Sequence, residues 1–389
     1  MEMEMALRYG MNPHQSKAKI FTSGALPVKV LNGEASWINI LDALNAFQLV
    51  RELRQCIGQP AAASFKHVSP AGAAVYSPLN HSLSHSYFVD GLELSPLAVA
   101  YARARGTDRM SSFGDCAALS DKVDVTTAQL LSKEVSDVIV APAYDEDALA
   151  ILKKKKNGKY LILEVDPHYT PSLIETRTVF GMTLEQERNN VQISAEMLNN
   201  IVTNEQQIPD HAKRDLLIAM ITLKYTQSNS VCFALDGQTI GIGAGQQSRI
   251  HCTRLAAGKA DNWRLRQHPL VSQMDFRAGI SRAEINNAID GWMNEDITAE
   301  EERRWRCNFN VVPRRLAKKE KQSWLQGLRG VSFASDAFLP FRDNIDRVAR
   351  SGVRYLVQAG SSLRDDQVIE AANEYGMVMA YSGVRLFHH

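Results

Sequence analysis

Cysteine is scarce, and its spacing suggests no pairing. Five occur in 389 residues, at Cys56, Cys116, Cys232, Cys252 and Cys307. The count is odd and no C-x-x-C pair exists, which argues against a disulfide framework and against a thiolate zinc site. A reducing compartment fits this usage. Long apolar runs are missing as well. Stretches such as Leu216 to Leu223 fall far short of the roughly 20 residues a membrane-spanning helix needs. The acidic opening Met1-Glu2-Met3-Glu4-Met5 lacks the apolar segment of a secretory signal. The expectation is a cytoplasmic protein with no membrane partner. An excess of either charge is also lacking. Lys plus Arg number 44 and Asp plus Glu 43, a formal net charge of +1. Nucleic acid is therefore not an expected partner. A small anion remains possible, because two or three arginines can hold one phosphate inside a neutral protein.

Hydrophobic residues make up 45% of the chain, enough to build a core without disulfides. The length suits two or three domains, or one large fold with insertions. Apolar segments at Ala61–Phe65, Val135–Ala141 and Tyr160–Val165 predict strands, the first running into a loop at Pro70. Helical patterns at Ile40–Cys56, Pro96–Arg105 and Thr126–Ser132 alternate with them, which favours an α/β fold with a mixed or parallel sheet. From about His268 to Leu328 the chain is charged, glycine-poor and helical in pattern, with capping-box spacing at Ser281 and Glu284. Strand signals return at Val331–Ala334 and Val353–Val357. The middle therefore reads as a helical insertion in a second α/β unit. The basic run Lys153–Lys156 enters an Asn157-Gly158 turn and reads as a solvated loop.

Several segments could carry chemistry. In Lys66-His67-Val68-Ser69-Pro70, a lysine and a histidine stand together where an apolar strand ends. Strand ends are the usual ligand rim of α/β folds. There a histidine can take a proton and an ammonium can stabilise developing negative charge. A surface lysine beside a loop-capping histidine is the plain alternative. Lys224-Tyr225-Thr226-Gln227-Ser228-Asn229-Ser230 packs polar side chains between core elements, as a site or as a helix cap. Gly241, Gly243 and Gly245 precede a helix, but G-x-G-x-G is not the dinucleotide fingerprint, whose third glycine is replaced here by Gln246. Such glycines still permit close backbone approach, and Arg249 could pair with a carboxylate or phosphate. Phe338-Leu339-Pro340-Phe341 could form a lid over a flat ring, or simply a packed corner. Zinc deaminases need H-x-E with P-C-x-x-C. His67 is followed by Val68 and Ser69, so zinc-dependent deamination is excluded.

In order along the chain, LRYGMNPHQ (from Leu7), AAASFKHVSPAG (from Ala61), RMSSFGD (from Arg109), KYTQSNSVC (from Lys224), IGIGAGQQSRIHCTRLA (from Ile240), SDAFLPFRDN (from Ser335) and the closing RLFHH resemble the AICAR transformylase family. The resemblance runs from about Leu7 to His389. It implies duplicated cytidine-deaminase-like three-layer α/β units with a helical insertion and no zinc. Units at 1–200 and at 201–268 plus 329–389, with the insertion at 269–328, are the expected divisions. It also implies formyl transfer from 10-formyltetrahydrofolate to the 5-amino group of AICAR in purine synthesis. A homodimer with active sites at the subunit interface and a potassium ion of unspecified ligands are further implications. In most members this portion follows an IMP cyclohydrolase domain. Here six residues precede the first motif, so ring closure is expected of a separate cyclohydrolase.

Carried over position by position, the resemblance makes His67 the proton acceptor, Lys66 the oxyanion stabiliser and Asn229 the orienting residue. Arg8, Tyr9, Gly114, Asp137, Phe338 and Arg385 match AICAR contacts; Arg249, Ile250, Asp343, Ser362 and Leu363 match folate contacts. Two other function classes stay open. One is an enzyme using formate and ATP, although no P-loop is present. The other is a non-catalytic nucleotide-binding relative.

Overall fold

The computed structural model describes residues 3–22, 24–294 and 296–389. Met1 and Glu2 of the acidic opening lie outside them. The spine is an eleven-stranded mixed sheet. Its order is Val378–Tyr381, Val353–Gln358, Val331–Ser335, Val231–Leu235, Gln238–Gly243, Ser69–Val75, Ala61–Lys66, Asp115–Leu119, Ser136–Ala141, Leu161–Val165 and Val28–Asn32. Outward from the central Gln238–Gly243 and Ser69–Val75 strands, both flanks follow one pattern. An antiparallel hairpin comes first, then three mutually parallel strands, and on one flank alone an antiparallel edge strand, Val28–Asn32, follows. The two halves meet through the pair Gln238↔Ala74, reinforced by the Ala73 N–H donating to Thr239 Oγ1 at 2.9 Å.

The sheet is covered on both faces, which explains why its strands read as mainly apolar runs rather than as alternating ones. Ala61, Ala63 and Phe65 share one buried cluster with Phe47, Leu49, Leu216 and Ile218 of the helices Trp37–Ile57 and Asp210–Lys224. Ala62 points the other way, into a cluster with Tyr101 of Pro96–Gly106 and Ala256 of Arg249–Leu265. The expected strands and helices all form, with ends shifted by a few residues.

One expectation is corrected. The polar stretch after Phe65 is no loop but a tight turn into a further buried strand, Ser69–Val75. Pro70 is accommodated because the register slips between Ser64 and Phe65, its partner. A bulge is where proline's missing N–H does least harm inside a sheet.

Residues 269–328 are mainly helical, and Ser281 with Glu284 forms the expected capping box. They hold a small core of their own around Trp292, Trp305 and Phe309. The short ribbon Asp275–Phe276 with Phe309–Val311 was not expected there. Arg282 anchors this region to the first half by donating to Glu134 Oε1 at 3.0 Å. Two further ribbons, Met3–Leu7 with Ala18–Thr22 and Ile174–Val179 with Met182–Glu187, also stand outside the main sheet. Among the described residues, no helix is long and apolar enough to cross a membrane.

Candidate active site

The Lys66–Ser69 turn closes the hairpin at a sheet end. His67 and Val68 sit at φ 54° and 58°, so both central residues are left-handed. For non-glycine residues that costs about 1–2 kcal/mol each. The turn is tied to Asp42 on the helix Trp37–Ile57, whose Oδ1 accepts from the Val68 N–H at 2.6 Å. Burial pushes the Asp42 carboxyl up to about 6, opposed by that N–H and by the charges of His67 and Lys66. The Lys66 ammonium donates to the Phe113 carbonyl at 2.5 Å. Gly114 follows with φ 75°, and a Cβ there would lie 3.3 Å from Asp137 Oδ2. Asp137 also takes an ion pair from Lys156.

The basic run is therefore not simply solvated. Lys155 donates to the Glu134 carbonyl and Lys156 to Asp137. Left-handed backbone at Lys156 and Asn157 makes this reach possible.

Arg8 and Tyr9 approach the same helix from its start. The Arg8 N–H donates to the Ala35 carbonyl at 2.9 Å, and the Trp37 N–H to the Tyr9 carbonyl at 3.2 Å. Asp42 lies five residues beyond Trp37, about 7.5 Å along the axis. The exposed Arg8 guanidinium bonds the Tyr9 hydroxyl at 2.8 Å.

A second cluster gathers around Asn229. The Arg249 guanidinium is buried; it donates to Asp336 Oδ1, to the Ser230 carbonyl at 2.9 Å and to Asn229 Oδ1 at 2.9 Å. Asp336 Oδ2 also accepts from the Ser228 hydroxyl at 2.6 Å and from the Ser230 N–H and hydroxyl at 2.9 Å. The chain's last residues dock here: the Leu386 N–H donates to the Asp336 carbonyl at 2.8 Å, and the Ser228 N–H to the His388 carbonyl at 3.0 Å. Arg385 is thereby held beside the cluster, its guanidinium 4.6 Å from the centre of the Phe387 ring. Other polar residues of the segment serve the fold. Lys224 and Tyr225 both bond Glu52, at 2.8 and 2.7 Å.

The Lys66–Ser69 turn borders a cavity of about 440 Å³, whose lining also includes Gln227, two residues before Asn229, together with Gly245 and Lys259. The glycines beneath it serve packing. A Cβ on Gly241 would sit 2.3 Å from the Ala256 carbonyl oxygen, and one on Gly243 2.5 Å from that of Cys252. The helix Arg249–Leu265 can lie against its strand only without those side chains.

The remaining expected residues spread outward. Ile250 is half-buried beside Arg249. Asp343 accepts from the Asn344 amide at 2.9 Å, and Asn344 Oδ1 accepts from Thr253 at 2.8 Å, which ties Asp343 to the same helix. Phe338 and Phe341 are 44% and 48% exposed, while Leu339 between them is buried. Ser362 and Leu363 stand in a separate loop, where the Ser362 N–H donates to Asp365 at 3.1 Å and Leu363 is fully exposed. Asp42 and Lys156 join the site although the sequence reading singled out neither for it. Among the described residues, no group of three or more His, Cys, Asp and Glu side chains could hold a metal ion.

The model for AICARFT/IMPCHase bienzyme matches residues 1–259. The chain belongs to that family. Among curated relatives of this family, the bifunctional purine biosynthesis protein PurH of Magnetococcus marinus is 32% identical over 395 residues, covering 98% of this chain and 59% of its own length. Proteins of the same name from Roseobacter denitrificans and Cereibacter sphaeroides are 31% identical over 392 and 393 residues, covering all of this chain and 60% of their own. The chain thus spans about three fifths of the length of the AICARFT/IMPCHase relatives it matches.

Proposed function

We propose that this chain transfers the formyl group of 10-formyltetrahydrofolate to the 5-amino group of AICAR, giving formyl-AICAR and tetrahydrofolate. The observation that carries this reading is the cavity of about 440 Å³ at which Lys66 and His67 meet Gln227 and Gly245, within a chain of this family. The amine is a poor nucleophile, because its ring and carboxamide withdraw electron density. Its nitrogen bonds the formyl carbon as His67 accepts the proton through the carboxamide. Lys66 stabilises the oxyanion of the tetrahedral intermediate. Collapse breaks the bond to the folate nitrogen, which receives the proton held by His67, and releases tetrahydrofolate. Asn229, fixed by Arg249, orients the formyl group or the carboxamide.

Arg8 and Arg385 suit the 5′-phosphate, for which forked donors are apt. Tyr9, Gly114, Asp137 and Phe338 complete the AICAR side. Ile250, Asp343, Ser362 and Leu363 form the folate side, where the Asp343 carboxylate can accept two parallel N–H bonds from a pterin. Arg249 belongs there through Asn229, since its own guanidinium is bound to Asp336.

The repeated strand pattern supports two cytidine-deaminase-like units, 1–200 and 201–268 plus 329–389, with 269–328 inserted. A homodimer acting in the cytoplasm, with a separate IMP cyclohydrolase for ring closure, completes the reading. A potassium ion would find oxygen donors at Ser228, Ser230 and Asp336. Arg249 is itself paired with that carboxylate.

The test is an assay with AICAR and 10-formyltetrahydrofolate that follows tetrahydrofolate release. Release at a rate dependent on both substrates is expected. Turnover only with formate and ATP, or no turnover with either donor, would overturn the proposal.

A further inference from the structure

The turn that presents Lys66 and His67 is not favoured by its own residues. Two-residue hairpin turns of this shape ordinarily use Asn-Gly or Asp-Gly. Here the central pair is His67-Val68, and a β-branched valine at φ 58° is among the least suited. The hairpin's own pairing reaches only Lys66↔Ser69 before the turn begins. A contact from outside the hairpin holds its tip, and it comes from Asp42.

That residue lies in a 21-residue helix that ends at a left-handed Gly58. It is 7% exposed, and its carboxylate accepts from the Val68 N–H. A buried carboxylate is a costly way to fill space, and an apolar residue of similar size would pack there at less cost. The titratable groups facing it are Lys66 and His67 across the turn and the Cys116 thiol on the neighbouring strand. Asp42 therefore touches the site's main chain and acts on its charges without reaching the cavity wall.

We propose that Asp42 is the positioning residue of this site, holding the left-handed turn through the Val68 N–H so that His67 stands beside Lys66. The inference rests on the formyl-transfer roles given to those two residues. A hydrogen bond to a carboxylate is shorter and stronger than a neutral one. A catalytic group displaced by about an ångström can lose on the order of a hundredfold in rate.

The experiment compares kcat, the KM for AICAR and the melting temperature of the native chain with those of Asp42→Leu and Asp42→Asn. Leucine fills the volume without an acceptor, whereas asparagine keeps an oxygen for the Val68 N–H. Asp42→Leu is expected to lose about tenfold or more in kcat, with the AICAR KM within about threefold. Asp42→Asn should recover most of that loss. Adding Val68→Gly to Asp42→Leu should recover part of it too, because glycine adopts the left-handed turn unaided. A native chain that transfers formyl while Asp42→Leu matches it within about twofold would overturn the inference alone. So would an asparagine variant as impaired as the leucine one. A native chain inactive toward AICAR and the folate would overturn the proposed function itself.

Discussion

Arg249 and Asp336 form a buried ion pair between the start of the helix Arg249–Leu265 and the end of the strand Val331–Ser335. The same guanidinium fixes the side-chain oxygen of Asn229. Charge neutralisation in the core and the placing of the Asn229 side chain thus depend on one group. Asp336→Ala leaves that cation buried and uncompensated, and stability should fall by about 3–5 kcal/mol. Arg249→Lys keeps the charge and loses the fork, so it should hold the fold better than it holds Asn229. Denaturant midpoints and turnover measured together check this. Full turnover in Arg249→Lys would argue against an orienting role for Asn229.

The buried Asp42 carboxyl predicts a pH-dependent stability. Burial raises it from its ordinary 3.8 to about 6, so the unfolded chain ionises it first. The extra stability is present in full below 3.8 and is lost as pH rises through 6. Asp42→Asn has no such group. Relative to the native chain, its stability should rise from about pH 4 to about pH 7 by up to about 3 kcal/mol, at 1.36 kcal/mol per unit. Urea midpoints of the two proteins across that range test the sign. A constant difference between them would contradict the shift.

Asp42 and the Lys66-His67 pair differ in how far the sequence reveals them. Runs such as Ala61–Phe65 announce themselves because both faces of the sheet are covered, so apolar residues dominate them and the one hydroxyl, of Ser64, is buried on Ser112 and Asp115. Lys66 and His67 are visible because polar residues follow such a run abruptly. Asp42 is hidden, being one acidic residue on an otherwise ordinary amphipathic helix 24 positions before Lys66. Its meaning lies in a tertiary hydrogen bond. Lys156 is hidden in the same way, since the Asp137 it pairs with lies on a strand across the turn. Pro70 misdirects the local reading, because only the bulge beside it on its own strand makes a strand possible.

Removing Lys66 or His67 should spare the fold. Lys66 is half-buried and His67 exposed, and neither anchors the core. Lys66→Ala should lose about 10²–10³ in kcat, the usual loss for one oxyanion donor. His67→Ala should lose about 10²–10⁴, as for a general base. Both should melt within a few degrees of the native chain. Near-native turnover in either variant would remove that residue from the chemistry.

Asp137 and Asp343 should separate the two substrates. Asp137 lies with Gly114 and Lys156 near the Lys66 ammonium, while Asp343 is tied to the helix Arg249–Leu265 through Asn344 and Thr253. Asp343→Ala removes a carboxylate suited to paired N–H donors of a pterin. It should raise the folate KM about tenfold or more, at about 1.5 kcal/mol or above for hydrogen bonds to a charged group, and leave the AICAR KM nearly unchanged. Asp137→Ala should do the reverse. Lys156→Ala should follow Asp137→Ala in direction, because it frees the same carboxylate to move. Steady-state kinetics with each substrate varied in turn gives the four constants needed. Equal effects of either aspartate on both KM values would mean that the two sides of the site are not divided in this way.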